Sequence, residues 1–180
     1  MKLSNVARFP ILIVLVLMLA ALPFCALSES GATMFVPESM VNAYNDAIVP
    51  FLGVVGLDTD TARQAEPLFK LELQSQADGK IVYANSDSTV VLTYTADSPN
   101  AEASEFTLWS NLGDESKWKN IPSICFAYTA LTNSMDGVGP DFFDWVNVQK
   151  DDGSTFELDA FSGHYAITPF KECCFTFTRK

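Results

Sequence analysis

The pattern of apolar and polar positions divides the chain into three regimes. Residues 11–22 (ILIVLVLMLAAL) are an unbroken apolar run. A helical period follows over residues 37–52 (PESMVNAYNDAIVPFL), where Met40, Val41, Tyr44, Ala47, Ile48, Phe51 and Leu52 share one face. Pro37 suits a first helical turn and Gly53 suits the end. Residues 53–66 (GVVGLDTDTARQAE) carry no comparable stripe and predict a loop with at most one helical turn.

Period-two patterning then takes over. Phe69, Leu71 and Leu73 alternate with Lys70, Glu72 and Gln74, which predicts a half-buried strand. Ala77-Asp78-Gly79 supplies turn chemistry, and residues 80–84 (KIVYA) return as the hairpin partner. Residues 89–96 (TVVLTYTA) and 105–110 (EFTLWS) predict two more strands, joined by the loop at 96–105. A second helical period starts at Ile121 and runs through Ile124, Cys125, Tyr128, Leu131 and Met135. Residues 144–149 and 154–161 flank KDDG as a hairpin, and 172–178 (ECCFTFT) alternates as a closing strand. Hairpin-length links make the sheet antiparallel. The expected architecture is therefore a two-layer α+β domain. Its mainly antiparallel sheet has about six or seven strands, with two amphipathic helices on one face.

The apolar run sets the expected location. Lys2 and Arg8 precede it, Pro23 follows it, and Ala26 and Ser28 are small enough for a signal-peptidase pocket. The residues thus predict a signal peptide over 1–28, cleavage before Glu29, and a single globular domain over 29–180. Two other readings use the same residues. Cys25 is a lipidation position, although Phe24 directly before it fits poorly. Alternatively, Phe9 to Leu27 stays as an uncleaved anchor of borderline length. All three place the domain outside the cytoplasm, secreted or in the cell envelope, and membrane contact is confined to the N-terminal segment.

Charge narrows the partners. The chain carries 11 basic and 22 acidic residues, a formal net charge of −11. Losing Lys2 and Arg8 with the leader takes it to −13. Such a surface repels nucleic-acid phosphates and anionic headgroups. Three Trp, five Tyr and 14 Phe provide a core, so the acidity is not a sign of disorder.

The chemistry-bearing residues are sparse. His164 is the sole histidine, there is no HExxH or GxSxG, and no cofactor fingerprint is present. After leader removal Cys125, Cys173 and Cys174 remain, an odd number. Cys125 and Cys173 fall on apolar faces, which leaves open a disulfide between them or two buried thiols. Carboxylates gather at Asp58/Asp60, Asp136/Asp141/Asp144 and Asp151/Asp152, without the spacing of a calcium loop. The aromatics Trp109, Trp118, Phe142, Phe143 and Trp145, with His164, are the candidate ligand-binding residues. The sequence reads as an exported acidic binding or interaction domain for a small apolar ligand or a protein. The alternative is a secreted hydrolase using His164 with a Ser, Cys or Asp partner.

Overall fold

The computed structural model describes residues 33–54, 56–111, 153–157, 161–167 and 172–180. A 3-10 turn, Thr33–Phe35, leads into helix α1, Pro37–Val54, and a second helix α2 spans Thr59–Phe69. Seven strands follow: β1 Glu72–Ala77, β2 Lys80–Ala84, β3 Val90–Thr95, β4 Glu105–Asn111, β5 Thr155–Glu157, β6 Phe161–Ile167 and β7 Glu172–Arg179. They form one sheet in the order β1-β2-β3-β4-β7-β6-β5, and every neighbouring pair is antiparallel. The chain is a two-layer α+β domain, as its patterning implies.

Helix α1 forms where expected and continues two residues further. Its stripe of Met40, Val41, Tyr44, Ile48, Phe51 and Leu52 is buried. Helix α2 replaces the expected loop at 53–66. Only Ala62 of this helix is buried, so no apolar stripe announces it. Capping starts it instead: Asp58 accepts hydrogen bonds from the backbone N–H of Asp60 and Thr61 and from the Thr61 hydroxyl. Phe69 consequently ends a helix, and the strand expected from Phe69, Leu71 and Leu73 begins only at Glu72. That strand is not half-buried either. As an outer edge strand, β1 is exposed at all six residues, and Leu73 is 50% exposed.

The β1–β2 hairpin uses the expected turn. Ala77 pairs with Lys80, and Asp78 (φ 52°) and Gly79 (φ 70°) both adopt the left-handed conformation that a two-residue turn of the mirror type requires. A bulge at Gln74, between the Leu73 and Ser75 register positions, shifts the edge strand by one residue. The single strand expected over 154–161 is divided. β5 ends at Glu157, and Phe161 begins β6, which pairs with both β5 and β7. Gly163 at an inward position of β6 hides its alternation from a hydropathy reading. The expected helix from Ile121 and the expected strand at 144–149 lie outside the described residues.

One face of the sheet, the inner face, holds the core. Ile81, Leu92, Tyr94, Phe106, Leu108, Phe161, Phe175 and Phe177 are buried there beneath α1 and the 3-10 turn. The rings of Tyr94, Phe106 and Phe177 stack in series with centroids 5.1 and 4.9 Å apart. Phe35 meets Phe106 edge-on at 5.4 Å. The buried Tyr94 hydroxyl donates to the Met34 carbonyl at 3.3 Å, and burial holds this phenol protonated far above its usual range. Asn45 clamps α1 to the chain entering β1. Its Nδ2 donates to the Leu71 carbonyl (3.2 Å), and its Oδ1 accepts from the Leu71 N–H (2.9 Å).

Candidate functional site

Strand alternation sends the remaining side chains to the opposite, outer face. The registers align them in rows that run across the strands. Val82, Thr93, Thr107, Thr176, His164 and Thr155 form a central row from β2 to β5. Glu72, Ala84, Val91, Trp109, Cys174 and Ala166 form the row on one side of it. Lys80, Thr95, Glu105, Thr178, Ser162 and Glu157 form the row on the other side. Among the described residues neither helix covers this face. The central row is half-buried from Val82 to Thr176 and exposed at His164 and Thr155, and Trp109 is half-buried.

The face has a definite chemistry. The central row contains no Asp, Glu, Lys or Arg, and neither do Val91, Trp109, Cys174 and Ala166 beside it. The Thr107 and Thr176 hydroxyls meet across the strands at 3.4 Å. β-Branched side chains pack well on a pleated surface, so the threonines present methyls and hydroxyls in a regular array. Charged positions flank the central row on both sides: Lys80, Glu105 and Glu157 stand in the third row, Glu72 in the row of Val91 and Trp109, and Glu172 beyond that row at the register position opposite Asn111. Glu157 pairs with Lys180 at 2.8 Å, and Lys80 donates to the Thr95 hydroxyl at 2.8 Å. Beside Thr95, a shallow recess of about 240 Å³ is lined by Gly79, Ala96, Asp97, Glu102 and Ser104. Glu102 on its wall is held by Arg179. An open acidic hollow of this size suits no apolar ligand, since small-molecule sites are enclosed, apolar and usually about 300 Å³ or more.

Of the expected site residues, Trp109 and His164 come onto one face, two strands apart. Cys25, Trp118, Cys125, Phe142, Phe143 and Trp145 lie outside the described residues, as does the side chain of Cys173. The expected Cys125–Cys173 pairing and the leader therefore fall outside them too. His164 stands exposed, one register step diagonally from Cys174. Burial pushes the Cys174 thiol up, and a hydrogen bond with Thr176 pulls it part of the way back. That direction is the opposite of an activated nucleophile, which needs a stabilised thiolate. Among the described residues no three His, Cys, Asp or Glu side chains converge as a metal site. No described helix is long and apolar enough to cross a membrane.

The threonine rows were not among the expected site residues. Their signal is in the sequence as the repeated T-x-T of Thr93/Thr95 and Thr176/Thr178. What the sequence does not carry is the pairing that sets Thr107 between them. No protein-family model, curated protein or solved structure matches this chain.

Proposed function

We propose that this chain is an exported, non-enzymatic interaction domain whose outer sheet face is the binding surface. The observation that carries the reading is the composition of that face. In a chain of net charge −11, the central row and the adjoining Val91, Trp109, Cys174 and Ala166 hold threonine, valine, alanine, cysteine, histidine and a half-buried tryptophan, with the charged positions at the margins of the face. A face that only needs to stay solvated usually carries Lys and Glu. Interface cores are instead depleted of those residues and enriched in aromatics, inside a charged rim. The broad, shallow shape fits a macromolecular partner better than a small apolar ligand. The basic start, apolar block and small residues of 1–28 support delivery of the domain outside the cytoplasm.

Hydroxyl-radical footprinting tests the surface without naming the partner. The exported protein is labelled in its native medium or envelope and again after purification and dilution. Oxidation of Trp109 and Val91 is expected to fall in the native setting, while Leu68 and Leu73, exposed elsewhere on the domain, label equally in both. Equal labelling of Trp109 in both settings rejects the outer face as a binding surface.

A further inference from the structure

We infer that the partner seated on the outer face is a cationic protein surface, with lysine or arginine placed around an apolar or hydroxyl-bearing centre; this rests on the reading of that face as an interface. The face has two parts of opposite character. Its middle is uncharged, with Thr93, Thr107, Thr176, Val91 and the half-buried Trp109. Its margins are acidic. Glu105 and Glu157 stand along one side, Glu72 and Glu172 along the other, against Lys80 and Lys180. Lys180 is engaged by Glu157 at 2.8 Å, and Lys80 donates to the Thr95 hydroxyl. Beside Thr95 the open hollow adds the exposed Asp97 to the same margin.

A chain of net charge −11 attracts cations over much of its surface. Such attraction speeds encounter and disfavours wrong partners, but it does not choose a seat. A seat needs a centre that can be dehydrated, with an aromatic anchor in it, and the outer face joins Trp109 and the threonines to an acidic surround. A second copy would bring its own glutamates to these margins, and a nucleic acid or anionic membrane is repelled by them. The spacing is specific as well. The row of Glu72 crosses β4 at Trp109, and Glu172 stands opposite Asn111. Along the strands these positions lie about 13 Å and about 20 Å from the row of Glu105. The partner therefore presents two cationic groups about 20 Å apart with no charge between them.

Two synthetic helical peptides test this on the purified exported protein. Each has about 18 residues, a length of about 27 Å, and the same content of alanine, leucine, serine and lysine. One carries its lysines in the two end turns; the other carries them in the middle. Binding is read as fluorescence anisotropy of the labelled peptide. The end-lysine peptide is expected to bind at least tenfold tighter than its isomer. Its dissociation constant rises more than tenfold between about 50 and 500 mM NaCl, because salt screens the margins. Glu105→Gln weakens it at least threefold. Asp46→Asn makes the same charge change at an exposed position of α1, away from the face, and shifts it less than twofold. Circular dichroism and melting confirm that both variants fold. If Glu105→Gln unfolds, Glu72→Gln on the exposed edge strand takes its place.

Equal affinity for the two peptides, or equal loss from Glu105→Gln and Asp46→Asn, overturns the patterned seat, because net charge alone then explains the binding. Binding of neither peptide at about 1 mM overturns the cationic partner. Where Trp109 is nonetheless protected in the native setting, the face holds a partner of other chemistry and the interface reading stands. Equal labelling of Trp109 in both settings overturns the interface reading and this inference with it.

Discussion

Gly163 offers a test of how tightly the two halves of the sheet are packed. It lies at a buried position of β6, opposite Phe177 in register. A methyl group added there would stand 3.0 Å from Cε1 and 3.2 Å from Cδ1 of Phe177, and 3.5 Å from Cβ of Phe156. Carbon atoms settle at about 3.5–4.0 Å, so the Phe177 ring has to retreat by roughly half an ångström. Its surroundings give it nowhere to go: it is fully buried and stacked on Phe106 at 4.9 Å, with Phe161 and Phe175 around it. The backbone at Gly163 is not left-handed, so alanine would otherwise stabilise by about 0.4–1 kcal/mol through the unfolded chain. Overpacking costs about 1–3 kcal/mol. Gly163→Ala should therefore destabilise by about 1 kcal/mol, read as a lower urea midpoint at unchanged slope. In a Phe177→Leu background the clash is relieved and the same substitution becomes neutral or stabilising. A coupling of about 1 kcal/mol is expected between the two sites. Stabilisation by Gly163→Ala in the otherwise unchanged chain would refute the packing argument.

Other perturbations follow from single contacts. Asn45→Ala strands the N–H and carbonyl of Leu71, a residue 2% exposed, and should cost about 1–3 kcal/mol in chemical denaturation; a change within error would show that water replaces the clamp. Hydrogen bonds from Thr61 hold the Asp58 carboxyl below its ordinary 3.8. Its contribution to stability is thus complete above that value and is lost as the pH falls through the lower folded value. Carboxyl NMR titration should place its midpoint below that of a model aspartate, and Asp58→Ala should flatten this part of the acid unfolding curve. The Cys174 thiol, raised by burial, should alkylate with a pH inflection above that of free cysteine, measured on its own peptide by mass spectrometry. Thr176→Val should move the inflection higher still, and an inflection below free cysteine would contradict the assigned environment.

The sequence was most legible where burial is one-sided. Helix α1 and strands β2, β3, β4 and β7 each set apolar residues at the helical or strand period, and each formed close to the expected bounds. It was least legible where something other than burial creates the element. Helix α2 is started by the Asp58 cap and buries only Ala62, so hydropathy has nothing to detect. β6 places a glycine where an apolar side chain would reveal the strand, because the Phe177 ring occupies that space. The edge strand β1 buries none of its own residues, and its apolar Leu71 and Phe69 belong to neighbouring segments.

The candidate site follows the same division. Alternation by itself determined that the threonines of β3 and β7 face away from the core, because successive strand residues point to opposite sides. It also determined that Trp109 shares a face with Thr107. Only the tertiary structure decided that β7 lies beside β4, and so that Thr93, Thr107, Thr176 and His164 join in one row. The physical reason is that alternation is local, whereas strand order depends on which aromatic side chains pack together across long sequence separations. Phe106 and Phe177 stack on the inner face, and that contact aligns the threonines on the outer one.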